Sequence, residues 1–248
     1  MKGLLIVFSL SVAVIAMNTA SGFANAGPYS GNGYDASRYQ CTNGTPNQID
    51  PAFNSFGIVR VTGGRPFTVD ACRQALWQQA VNGTTSPPSL YVNVAFANAY
   101  GKQVSGACAS ATSPEGYAGK YLSAYQIGCA ESKYAFGQMS TGGVVPKAWW
   151  LDVETGNSWS SSDKHLNEAA IQGAADELKS LSGGPIGVYS YASSWNTITS
   201  GSSFAPASAS ASWVAGAANC SSSFSTGLTE WLRQSGITST GADADYAC

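Results

Sequence analysis

Short apolar runs bounded by turn residues recur along the whole chain, and stretches with helical spacing separate the early ones. NGYD (Asn32 to Asp35) is a brief first run, and FGIVRV (Phe56 to Val61) is a clear second, closed by Gly63-Gly64. SLYVNVAF (Ser89 to Phe96) follows Pro87-Pro88, AWWLDV (Ala148 to Val153) follows Pro146, and IGVYS (Ile186 to Ser190) follows Gly183-Gly184-Pro185. SWVAG (Ser212 to Gly216), EWLRQS (Glu230 to Ser235) and DADYAC (Asp243 to Cys248) bring the number to eight. Their β-branched and aromatic content and their Gly and Pro boundaries mark them as strands. Helices are predicted over Asp70–Val81, Glu115–Gly137 and Asp163–Leu181. The last carries Leu166, Ala169, Ala170, Ala174, Leu178 and Leu181 on one stripe behind a Ser-Ser-Asp cap. Beyond Ser190 the helical signal fades into loops rich in Ser, Ala and Gly, including the run Ser200 to Ser212. Strands alternating with helices build parallel βαβ units whose sheet is covered on both faces. Eight strands of that kind close most simply into an α/β barrel of the TIM type, here with its last three strands joined by loops.

The first 26 residues have a different character. Lys2 precedes an apolar stretch from Leu4 to Met17, and Ala24-Asn25-Ala26 follows as an A-x-A cleavage site. That is the pattern of a secretory signal peptide; the apolar stretch is shorter than the ~20 residues a spanning helix needs. Residues 27–248 then form a single barrel domain, with no linker that would divide off a second. All six cysteines (Cys41, Cys72, Cys108, Cys129, Cys220 and Cys248) lie in this part, and an even count in an exported chain points to disulfides. Six cysteines allow fifteen pairings. Pairing of neighbours (41–72, 108–129, 220–248) is expected, because each bond would tie a loop to the next element. No CxxC or CxxH spacing suits zinc. Only 10% of residues are charged and no Lys/Arg run occurs, which disfavours nucleic acid and anionic membrane as partners. An extracellular or cell-wall location and a monomeric state are the expectations.

The chemistry centres on WWLDVETG (Trp149 to Gly156). Residues two apart on a strand share a face, so Trp150, Asp152 and Glu154 point one way and Leu151 and Val153 the other. With Leu151 and Val153 against the helices, both acids face the barrel axis at the strand's C-terminal end, where barrel enzymes hold their catalytic groups. Asp35 ends the first strand and Asp243 lies in the last, and these strands are neighbours in a closed barrel. Four carboxyls in an aromatic cleft of low charge suit glycoside hydrolysis: negative neighbours raise the pKa of a proton-donating acid, while another carboxylate stays ionised. Six tryptophans (Trp149, Trp150, Trp159, Trp195, Trp213 and Trp231) lie near strands or their ends; large aromatics favour cores, and Trp150 and Trp213 are the two expected in the cleft. Other schemes lack their parts. The single histidine, His165, reads as a surface residue, and no G-x-S-x-G, H-E-x-x-H, P-loop or G-x-G-x-x-G is present. Few neutral oxygen ligands accompany Asp152 and Glu154, so no metal and no cofactor are expected. Asn43, Asn82 and Asn219 open N-x-S/T sequons, which matter only in a eukaryotic secretory route.

Several of these stretches, in order, resemble glycoside hydrolase family 25, lysozymes that cleave bacterial cell-wall glycan. GYDASRYQ (Gly33 to Gln40) resembles the family's first strand, FGIVRVTGG (Phe56 to Gly64) its second and WLDVE (Trp150 to Glu154) its central D-x-E strand. IGVYS with Trp195, SWVAG, Gln234 and ADADY are similar to later strands, so the resemblance runs from about Gly33 to Tyr246. The spelling is most similar to a secreted, cysteine-bearing, glycoside-hydrolase-like group. The resemblance implies five βα units followed by three strands. It implies Glu154 as general acid, Asp152 positioning it or the substrate, Asp35 and Asp243 as supporting carboxylates and Tyr189 near the reacting sugar. Asp243 falls on the family's aspartate in V-D-x-N, and Asp245 takes the Asn place. Two departures bear on substrate identity. Thr62-Gly63-Gly64 stands where the family has Thr-Glu-Gly, and the Tyr-His after the third strand is missing, with Tyr91 and Asn93 nearby. The implied activity is hydrolysis of β-1,4 links in peptidoglycan or a related aminosugar polymer, with a retaining, inverting or acetamido-assisted course left open. A barrel that binds glycan without cleaving it is the alternative.

Overall fold

The computed structural model describes residues 27–139 and 143–248. The signal peptide expected over residues 1–26 lies outside the described residues. Each predicted apolar run becomes a strand: β1 (Asn32–Ala36), β4 (Gly57–Arg60), β5 (Ser89–Asn93), β6 (Trp149–Asp152), β7 (Ile186–Ser190), β8 (Ala211–Ala215), β9 (Thr229–Ile237) and β10 (Asp243–Ala247). These eight close into one barrel in the order β1-β10-β9-β8-β7-β6-β5-β4. Neighbours run parallel from β1 through β4 to β9. β10 is the exception and enters antiparallel between β9 and β1. The remaining strands, β2 (Cys41–Thr42) and β3 (Thr45–Pro46), form a separate ribbon.

Four crossovers carry α-helices: α1 (Arg73–Gly83), α2 (Lys120–Gly137), α3 (Lys164–Ser182) and α4 (Ala192–Ile198). Two differences from the sequence reading stand out. The connection from β1 to β4, expected to complete a fifth βα unit, consists of the ribbon and two 3-10 turns, because Asn43-Gly44, Pro46 and Pro51 interrupt any helix there. Conversely, α4 forms in ASSWNTI, a sequence of weak helical propensity, because Trp195 and Ile198 sink fully into the outer layer.

Alternation along the strands builds two apolar layers. Val59, Val92, Leu151, Val153 and Val188 face outward and pack with Leu76, Trp77, Ile171 and Leu178 of the helices. Ile58, Tyr91, Trp150, Trp213 and Leu232 face inward and fill the barrel. Tyr29, from the segment ahead of β1, joins this inner layer, with its hydroxyl 2.5 Å from Ser89 Oγ at the start of β5. The indole of Trp150 lies over Gly187 of β7, where a Cβ would sit 2.2 Å from the ring. Gly in IGVYS is therefore what makes room for Trp150 in the strand beside it. No helix among the described residues is long and apolar enough to cross a membrane.

The cysteines pair as sequence neighbours: Cys41–Cys72, Cys108–Cys129 and Cys220–Cys248. They tie the ribbon to the start of α1, the loop ahead of α2 to that helix, and the β8–β9 loop to the end of β10. By chain entropy, loops of 31, 21 and 28 residues each contribute roughly 3–4 kcal/mol.

α2 and α3 touch through glycine. A Cβ on Gly128 would lie 1.8 Å from the Ala170 carbonyl oxygen, and one on Gly173 would lie 2.0 Å from that of Tyr125. Gly128→Ala gains up to about 1 kcal/mol of helix propensity but forces two backbones apart at a cost of roughly 1–3 kcal/mol or more. Urea unfolding is expected to show net destabilisation; a more stable variant would mean the helices are not in backbone contact.

Candidate active site

The mouth at the C-terminal end of the parallel strands collects acids from both ends of the chain. β1 contributes Asp35, and the antiparallel entry of β10 sets Asp243 directly opposite it, with Asp245 opposite Gln234 of β9. β6 contributes Asp152, flanked in register by Asn93 of β5 and Tyr189 of β7. Glu154 lies two residues past the end of β6, half-buried, where the turn that follows holds its backbone. Its carbonyl accepts from Trp159 Nε1 at 2.7 Å and from the Asn157 N–H at 3.1 Å. All of these side chains except Trp159 and fully buried Asp245 line a cavity of about 310 Å³, at the small end of the range for ligand sites.

Hydrogen bonds fix the acids from behind. Gln234 Nε2 donates to Asp35 Oδ2 at 2.7 Å, and the Tyr189 hydroxyl donates to Gln234 Oε1 at 2.8 Å. Asn93 Nδ2 donates to Asp152 Oδ2, and the Thr62 hydroxyl holds Asn93 Oδ1 at 2.7 Å. Trp213 Nε1 donates to Asp245 Oδ1 at 2.8 Å. Asp152 and Glu154 are themselves in hydrogen-bond contact, as are Asp35 and Asp245.

Every carboxyl in the cluster is pushed upward. Burial, then the charge of Asp243, raises Asp35 to about 8. Burial, then Glu154, lifts Asp152 well above the usual carboxylate range. Burial alone is the main cause for half-buried Glu154, whose contact with Asp152 works in the opposite direction and keeps its proton the more labile of the two. Asp243 is also raised by burial. The single cation at the cavity among the described residues, Arg60, is engaged with buried Asp70, with Nε and Nη2 each 3.0 Å from Oδ2. An acid whose pKa is raised by burial, at the open side of a pocket lined by further raised acids, is placed to protonate a leaving oxygen.

Of the residues singled out from sequence, Glu154, Asp152, Asp35, Asp243, Tyr189, Trp213, Gln234, Asn93 and Tyr91 all line this cavity. Trp150 does not. It is fully enclosed below the pocket, with its Nε1 donating to the Tyr29 hydroxyl at 3.1 Å, and it offers no face to a ligand. An inward side chain in the middle of β6 belongs to the barrel filling; only positions at the strand's C-terminal end reach the mouth. His165 is exposed at the start of α3, beside Glu168. Sequence reasoning missed Arg60, Tyr39, Asn157 and the role of Asp245. Arg60 was the most legible, being an inward position of a strand, two after Ile58, in a chain with few charges. Asp245 shares the face of Asp243 by the same period-two rule.

The fold and this mouth define an α/β barrel with a carboxyl-lined pocket at the C-terminal end of its parallel strands. No family profile and no curated protein matches the chain by sequence. By structure, it is similar to a muramidase from Trichobolus zukalii at TM-score 0.59 and 19% identity, over 88% of this chain and 94% of that one. It is similar to a bacterial lysozyme from Streptomyces coelicolor at TM-score 0.58 and 19% identity, over 89% and 93%. A family 25 glycosyl hydrolase from Bacillus anthracis matches at TM-score 0.57 and 14% identity, over 88% and 89%. The chain has the barrel fold of the family 25 glycosyl hydrolases.

The raised carboxyls fix the sign of a pH effect. Where the folded state holds protons that the unfolded chain has released, stability falls as pH rises. For Asp35 that window runs from 3.8 to about 8. Urea midpoints are expected to decline from pH 5 to pH 8; a midpoint that rises across this range would contradict the buried, proton-holding cluster.

Proposed function

We propose that the protein is a secreted glycoside hydrolase of lysozyme type, cleaving β-1,4 links in peptidoglycan or a related aminosugar polymer. The observation that carries this reading is the placement of Glu154: half-buried at the cavity, in contact with buried Asp152, and facing a mouth that also holds Asp35 and Asp243. Two named muramidase and lysozyme structures of the same fold support the substrate class. Three disulfides support an oxidising, extracellular setting, consistent with removal of residues 1–26 as a signal peptide and action as a monomer outside the cell or at a cell wall.

In this reading Glu154 is the general acid. Its proton passes to the glycosidic oxygen as the bond to the sugar carbon breaks, and the departing sugar leaves as a neutral alcohol. Positive charge then develops at the sugar carbon. Asp35 or Asp243, across the mouth, stabilises that charge in its ionised form. Water completes the displacement, directly or by opening a ring first closed by the substrate's acetamido oxygen, and its proton passes to an ionised carboxylate of the mouth. Asp152 sits deeper and sets the position and acidity of Glu154. Tyr189 and Tyr91 present the small exposed parts of their rings at the cavity wall to a sugar, and buried Trp213, with its ring centroid 4.4 Å from that of Tyr189, backs them. Gln234 and Asn93 act through the acids they hold.

Glu154→Gln keeps size and polarity and removes the transferable proton. It is expected to lower hydrolysis of a cell-wall suspension by at least about 10²-fold while leaving the fold and glycan binding intact. Hydrolysis that survives the change excludes Glu154 as the acid. Wild-type protein that binds glycan in a pull-down and releases no fragments would make this a binding barrel.

A further inference from the structure

We propose that Asp245 is a positioning residue that keeps its proton at neutral pH and donates it to Asp35. Asp245 is completely buried. Its Oδ1 already accepts from Trp213 Nε1 at 2.8 Å. Its Oδ2 has no donor among the described residues, and the side chain is in contact with another carboxyl, that of Asp35. Two carboxylates cannot satisfy one another, whereas a carboxylic acid and a carboxylate, or two acids, can. A proton on Asp245 turns the orphaned oxygen into an O–H donor and removes one negative charge from a site whose one cation among the described residues, Arg60, is engaged with Asp70.

The surroundings leave little alternative. The titratable groups that face Asp245 are Asp35 on β1, Asp243 on its own strand and Tyr29 from the segment ahead of β1. Trp213 on β8 and Gln234, opposite it on β9, are neutral. Burial and the charge of Asp35 both push Asp245 well above the usual carboxylate range. The bond it makes extends a chain that crosses five strands: Trp213 to Asp245, Asp245 to Asp35, Gln234 to Asp35, and Tyr189 to Gln234. Asp245 is therefore the member that aims Asp35 at the mouth. Its catalytic consequence rests on the hydrolase reading; its protonation does not.

Carboxyl carbon-13 NMR of wild-type protein labelled at aspartate tests this without any substrate. The Asp245 resonance, assigned by its loss in Asp245→Asn, is expected to stay in the protonated position at pH 7, and the Trp213 indole N–H to show no inflection in the acid range. The asparagine variant offers an oxygen to Trp213 and an N–H to Asp35, so it is expected to fold and to show one fewer protonated aspartate at pH 7. An Asp245 signal that titrates near the ordinary value of ~4, or a Trp213 N–H that shifts there with it, overturns the proposal. A catalytically inactive protein that still retains this proton would leave the proposal standing and remove only the hydrolase reading. An active enzyme whose Asp245 ionises with ordinary acids would do the reverse.

Discussion

The antiparallel insertion of β10 between β9 and β1 is the constraint on which the site depends. A sheet of seven parallel strands would leave β1 and β9 as edges; β10 pairs with both and closes the barrel. The same pairing registers Asp243 against Asp35 and carries Asp245 in beside Gln234. Two acids more than two hundred residues downstream of the first strand thus become its nearest neighbours. Cys248, at the end of this strand, is tied to Cys220, so the closing strand is covalently anchored beyond its hydrogen bonds.

Closure sets up a conflict that defines the chemistry. Asp35, Asp152 and Asp245 lose their water, Glu154 part of it, while Asp243 stays exposed, and each sits beside another acid. A buried carboxylate without a counter-ion costs several kcal/mol, so the carboxyls of the cluster are pushed toward their protonated forms. Asp70 resolves it differently: it is equally buried but accepts from Arg60, the Arg38 N–H and the Cys72 N–H, and lies outside the acid cluster. The contrast separates a structural acid, satisfied by donors, from acids kept in an energetically raised state. Such a site works against stability, and the three disulfides and the packed α2–α3 pair offset it.

The eight strands were legible because each is a short apolar run between turn residues, and the alternation in WWLDVE already assigned Leu151 and Val153 to the helix layer and the acids to the axis. Asp35 and Asp243 could be brought together on paper because a closed barrel makes its first and last strands neighbours. What could not be read was depth. Trp150 and Asp152 share a face, yet one fills the barrel and the other reaches the mouth, and two residues of strand rise, about 6–7 Å, make that difference. The missing first helix followed from Pro and Gly in the segment 37–56, whereas α4 was hidden because tertiary burial of Trp195, not local propensity, holds it. Asp243, chosen over Asp245 on the family pattern, does line the cavity, while Asp245, two residues on, is buried behind it, a depth that the pattern could not give.

Fold alone does not establish reaction, and the likeness to muramidases at 14–19% identity is a likeness of fold. The weight therefore falls on whether the acids at this mouth break a glycosidic bond. The most direct measurement is analysis of the soluble products after purified protein is incubated with peptidoglycan and, in parallel, with a chitin-like polymer. The account predicts new reducing ends on aminosugar fragments from at least one of the two. Intact glycan chains recovered from both, with the protein folded, would contradict it.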